Sequence, residues 1–82
     1  MNKKKLLKKL LSSVKNVKFS EATALAEAVG FKEDRTKGSH HIFVHPDITQ
    51  LLNLQEVKGE AKPYQVRQLV KLIEKHNLSI KD

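Results

Sequence analysis

The chain has 82 residues, no Cys and a formal net charge of +7. That length gives one domain with a small core, burying roughly 60–65% of its unfolded surface. The absence of Cys excludes disulfides and thiolate metal sites and suits a reducing cytoplasm, while no apolar run approaches the ~18 residues of a membrane span.

The charge is unevenly placed. Residues 1–20 carry seven Lys and no acid, whereas residues 21–82 carry nine Lys or Arg against nine Asp or Glu. The basic character therefore belongs to a basic helix and connector, residues 1–19, ahead of a domain spanning 20–82 that is neutral overall. Leu6, Leu7, Leu10, Leu11 and Val14 recur at helical spacing and predict an amphipathic helix over 3–14. Lys3, Lys4, Lys5, Lys8 and Lys9 take its other face, and Lys8 and Lys9 interrupt the leucines too early for a secretory signal. Such a helix can pack on the domain with its lysines solvated, contact phosphates as an arm, or meet another protein.

Ser20 is the expected N-cap of the next helix, with Glu21 in its first turn, where a carboxylate suits the dipole. Ala22, Leu25, Ala26 and Val29 form its buried face. Gly30 ends it, with apolar Phe31 just beyond. The period then changes. Residues 31–36 read as a strand, and Lys37-Gly38-Ser39 as a turn. His40 to Val44 form a second strand that Pro46 must end. Residues 47–50 read as a turn and Leu51 to Val57 as a third strand, with Gly59 breaking the chain. Pro63 opens a helix running to about His76, with Val66, Leu69, Val70 and Ile73 buried; Asn77 caps it and Leu78 follows. A helix followed by α-β-β-β-α is an α+β order, two helices covering one face of an antiparallel sheet. It is also the order of the double-stranded-RNA-binding fold.

The chemistry concentrates in residues 36–46, T-K-G-S-H-H-I-F-V-H-P, where three of the four His fall within six positions. A shared metal does not fit this geometry. His40 and His41 are strand neighbours and point to opposite faces; His41 and His45 share a face but lie about 13 Å apart, against metal–nitrogen bonds of ~2 Å. Acid–base work on a phosphodiester does fit. His40 can take or give a proton near neutral pH, Lys37 can steady a phosphate, and Ser39 with the amides around Gly38 can donate to its oxygens. His45 suits a structural cap of the strand end, and His76 suits the negative end of its helix. Alternation does not choose the core face. His40, Ile42 and Val44 share one side, His41, Phe43 and His45 the other. If Ile42 and Val44 are core, His40 must leave the strand end, as a bulge near Gly38 would permit. Lys58, Lys62 and Arg67 flank the start of the last helix, a place that favours phosphate, although Glu56 and Glu60 weaken the patch.

The order Gly30-Phe31, Arg35, Gly38-Ser39-His40-His41, Phe43, His45-Pro46 resembles the HicA toxins. The similarity continues through Asn53-Leu54-Gln55 and residues 62–68 to the last helix. HicA toxins are small RNA-cleaving proteins paired with an antitoxin, with a fold similar to a double-stranded-RNA-binding domain. The resemblance implies that His40, the His after Gly-Ser, is catalytic; it implies no role for His41. It further implies an mRNA-cleaving enzyme with RNA and a HicB-type antitoxin as partners. Because strand geometry separates the His residues and the substrate's own 2′-hydroxyl can be the nucleophile, neither a metal nor a small-molecule cofactor is expected, and the short apolar runs give no expectation of a membrane. RNA contacts are expected at Lys37, Gly38, Ser39, Lys58, Lys62 and Arg67. A noncatalytic RNA-binding module and a protein-interaction domain of the same fold are the alternatives, separated from the enzyme by RNA cleavage.

Overall fold

The computed structural model describes residues 2–80. Its elements are α1 (Lys3–Ser12), α2 (Phe19–Ala28), β1 (Lys32–Lys37), β2 (His40–His45), β3 (Ile48–Val57), β4 (Glu60–Ala61) and α3 (Pro63–Lys75). The strands form one antiparallel sheet in the order β1-β2-β3-β4. The architecture is α+β and consistent with the double-stranded-RNA-binding order, with an additional N-terminal helix.

Local chemistry explains most boundaries. The Asn2 side chain accepts from the Lys5 amide at 3.1 Å and caps α1. Ser20 is not the cap of α2: the helix starts at Phe19, with Lys18 as the capping residue. The Lys18 amide donates to Glu21 Oε1 at 3.0 Å, so the third helical residue satisfies the entry that the hydroxyl was expected to satisfy. The other carboxylate oxygen of Glu21 accepts from Lys9 Nζ of α1 at 2.8 Å. These two bonds, that of Lys9 first, hold the Glu21 carboxyl below its ordinary value.

The C-termini of α2 and α3 close in the same way. Phe31 N–H reaches back to Ala26 C=O at 2.9 Å and Gly30 N–H to Glu27 C=O at 3.1 Å; Leu78 N–H and Asn77 N–H bond Ile73 and Glu74 C=O at 2.9 and 3.3 Å. This paired pattern requires positive φ at the residue after the cap, and Gly30 and Asn77 have φ of +106° and +51°. Gly30 is constrained twice, because a Cβ there would stand 2.7 Å from His45 Nε2. Gly30→Ala should lower stability by about 2–4 kcal/mol through backbone strain and overpacking together. Adding His45→Ala should remove the contact part of that penalty and leave the backbone part. Urea unfolding of the single and double variants measures the split, and an unchanged midpoint for Gly30→Ala would refute the close approach.

The core lies between the helices and one sheet face. Phe43, Ile48, Leu52 and Leu54 of the sheet join Ala22, Leu25, Ala26 and Val29 of the α2 segment and Val66, Leu69, Val70, Leu72 and Ile73 of α3. Leu6 and Leu10 of α1 and Val17 of the connector belong to this same cluster, with Leu10 and Val17 fully buried. The outer strand β1, K-E-D-R-T-K, is exposed along its length, and its dense charge discourages pairing with another chain.

Three sheet features depart from the sequence expectation. β3 begins at Ile48, so residues 48–50 extend the strand instead of the turn, which shrinks to Pro46-Asp47. A fourth, two-residue strand exists: Glu60 and Ala61 pair with Val57 and Glu56. Its other side meets the connector, where Ala61 N–H bonds Val17 C=O and Phe19 N–H bonds Gly59 C=O, each at 2.9 Å. The irregularities lie between Glu33 and Arg35 and between Phe43 and His45, whereas Lys37 pairs regularly with His40 across the Gly38 turn.

Candidate active site

The β1–β2 hairpin turns on Gly38-Ser39, with Gly38 at φ +61° and open space on the side where a Cβ would stand. Lys37 pairs with His40, and His40 with Gln55 of β3. Directly paired residues share a sheet face. Because Phe43, Leu52 and Leu54 face the helices, Lys37, His40, Ile42, Asn53 and Gln55 lie on the uncovered face. No bulge at Gly38 is needed to release His40. It sits at the strand end, half-buried, on the face without helices.

Two polar links fix this corner. His40 Nδ1 lies 3.1 Å from Asn53 Nδ2 and 3.3 Å from Oδ1. The amide can therefore donate to a bare Nδ1 or accept from a protonated one, and in both cases Nε2 is the ring nitrogen that Asn53 does not engage. Gln55 Nε2 donates to Ser39 Oγ at 3.3 Å, while the Gln55 backbone amide donates to the buried Gln65 Oε1 at 2.6 Å. Ser39 C=O accepts from the Glu56 amide at 3.1 Å. Asn53 and Gln55 thus position His40 and Ser39. In the sequence, both residues stand out only as part of the resemblance to HicA toxins. The missing signal was strand register, since positions 40 and 53 meet only once β2 and β3 are paired.

The other His residues have different work. His41 leaves the opposite face, its Nδ1 2.8 Å from Glu33 Oε2 and its ring 4.6 Å from that of Phe19. Glu33 also accepts from the Thr36 hydroxyl. That bond first, then His41, holds the Glu33 carboxyl below its ordinary range. His45 is buried; its Nε2 donates to Val29 C=O at 3.0 Å, its Nδ1 accepts from the Asp47 amide at 3.1 Å, and its ring meets Phe31 edge-on at 5.0 Å. It fastens the end of α2 to the β2–β3 turn, a structural role. His76 is the C-cap of α3. Among the described residues no three His, Asp or Glu side chains converge as metal ligands.

Lys58 and Gly59 form the β3–β4 turn with φ of +53° and +81°. This turn lies at the same end of the sheet as Gly38-Ser39, because β3 runs past its pairing with His40 toward Val57. Lys58 and Lys62 line an open groove of about 370 Å³ with Val57, Glu60, Ala61 and Pro63. Arg67 is exposed on α3. The hairpin thus gathers Lys37, Gly38, Ser39 and His40; Lys58 lies in the turn at the same end of the sheet, Lys62 is the N-cap of α3, and Arg67 is exposed on that helix.

Among the described residues no helix is long and apolar enough to cross a membrane. A family model described as the HicA toxin of bacterial toxin–antitoxin systems matches residues 19–76. No curated protein and no solved structure matches the chain.

Proposed function

Since the chain belongs to the HicA family of toxin–antitoxin toxins, we propose that it is a metal-independent endoribonuclease, an mRNA interferase that works through His40 in the cytoplasm. The observation that carries this reading is the placement of His40. It lies on the uncovered sheet face beside Lys37 and the Gly38-Ser39 turn, with Nδ1 held by Asn53.

In the proposed reaction the ribose 2′-oxygen attacks the adjacent phosphorus and the bond to the 5′-oxygen breaks. A bare Nε2 takes the 2′-hydroxyl proton, or a protonated Nε2 supplies the proton to the departing 5′-oxygen; solvent handles the other transfer. The Lys37 ammonium, the Ser39 hydroxyl and the amides near Gly38 stabilise the charge that grows on the phosphoryl oxygens. Lys58, Lys62 and Arg67 hold flanking phosphates, a sequence-independent and salt-sensitive contribution. A HicB-type antitoxin would silence the protein by covering His40.

Purified protein incubated with single-stranded RNA in excess chelator should yield 5′-hydroxyl and 2′,3′-cyclic phosphate ends. Analysis of the product termini is the test. Cleavage that stops with chelator and returns with one metal, or that leaves 5′-phosphates, would refute the mechanism.

A further inference from the structure

Resting on the reading of the chain as an RNA-cleaving enzyme, we propose that the groove between β3 and the start of α3 is a subsite for an unstacked nucleobase of the RNA, next to the phosphate handled by His40. The groove measures about 360 Å³ and is lined by Gln50, Leu51, Asn53, Tyr64, Gln65 and Gln68.

Three observations converge on a base. Leu51 and Tyr64, 50% and 59% exposed, are large apolar side chains left open to solvent, and both border this one groove. A flat aromatic face beside an aliphatic side chain suits a stacked base, and stacking on Tyr is a general means of holding unpaired RNA bases. The lining has no charged residue, so it lacks the cation that would favour a phosphate over a neutral base. Its remaining members are amides, which both donate and accept and can bond a base edge.

The groove is also built and placed. Gln65 is 3% exposed and bonds two ways, accepting from the Gln55 amide and donating to the Tyr64 hydroxyl at 3.4 Å. The aromatic ring is thereby tied to the strand that carries Asn53. Asn53 is shared, lining the groove while its amide bonds His40 Nδ1. A nucleotide with its phosphate at His40 therefore has this groove as the adjoining surface. The groove bordered by Lys58 and Lys62 offers charge without an aromatic side chain, so phosphate and base are received in separate places.

Binding is measured in the His40→Ala protein, so that cleavage plays no part, with fluorescently labelled single-stranded RNA and the same strand made abasic. Tyr64→Ala should weaken binding of the ordinary strand by about 5- to 150-fold. It should leave the abasic strand unaffected, and Tyr64→Phe should restore the loss. In the protein with His40 intact, Tyr64→Ala should also flatten any preference for the base beside the cut. Equal affinity of Tyr64→Ala and Tyr64 proteins for ordinary RNA overturns the subsite, as does an equal loss on abasic RNA or no RNA binding at all. Loss of antitoxin binding with RNA affinity unchanged overturns it in favour of a protein-docking groove. A base-dependent loss in a protein that never cleaves leaves the subsite standing and removes the enzymatic reading instead.

Discussion

His40→Ala should abolish RNA cleavage and growth arrest while the protein stays folded. Loss of a general acid or base costs about 10²–10⁴ in rate. The fold has little to lose at this position, since the ring lies at a strand end on the uncovered face and, among the described residues, its side-chain partner is Asn53. His41→Ala is the informative comparison. That substitution breaks a partly exposed pair with Glu33, worth about 0–1 kcal/mol, together with a ring contact to Phe19. It should cost some stability and little cleavage, because the side chain leaves the sheet on the helix side and cannot reach the same phosphate. Initial cleavage rates, with circular dichroism on both proteins, decide the matter. Near wild-type cleavage by His40→Ala, or a dead His41→Ala that remains folded, would reverse the assignment within the pair.

Removal of residues 1–16 should unfold the domain, although the charge distribution suggests a detachable arm. Leu10 is fully buried and Leu6 nearly so, both within the cluster that contains Phe43 and Leu69. A small domain has total stability of about 5–15 kcal/mol, and truncating a single buried Leu costs about 2–5. Leu10→Ala should therefore lower the urea midpoint sharply. Leu11→Ala, at a position 49% exposed, should stay within about 0.5 kcal/mol of the parent. A cooperative, unshifted unfolding curve for the truncated protein would show that α1 only rests on the surface. The lysines on the outer face of α1 remain available to phosphates, apart from Lys9, which pairs with Glu21 of α2. The segment thus combines a structural apolar stripe with a basic exterior, and the truncation alone cannot separate those roles; Lys-to-Gln substitutions can.

Within residues 20–78, what the sequence determined by itself was local. The α2 face of Ala22, Leu25, Ala26 and Val29 is buried as its spacing requires, as are Val66, Leu69, Val70 and Ile73. Gly30, Pro63 and Asn77 mark helix ends because each satisfies a backbone demand set within a few residues. The Gly38 turn and the position of His40 beside it are legible for the same reason. Pairing across distance was not legible. Ser20 lost the cap of α2 because the connector pairs with β4 and starts the helix earlier. A two-residue strand such as Glu60-Ala61 has no periodicity to read; it exists because Val57, Glu56 and the connector supply partners on both sides.

The tertiary structure also chose the face of β2. Ile42 and Val44 are as apolar as Phe43, so composition alone leaves both sides eligible. The choice falls to Phe43 because Leu52 and Leu54 come into register on its side and His45 locks that side to the end of α2. The same choice turns His40 toward the uncovered face, where Asn53, thirteen residues away along the chain, holds Nδ1. Residue types and local geometry thus named the candidate chemical group, but only strand register could bring it its partner.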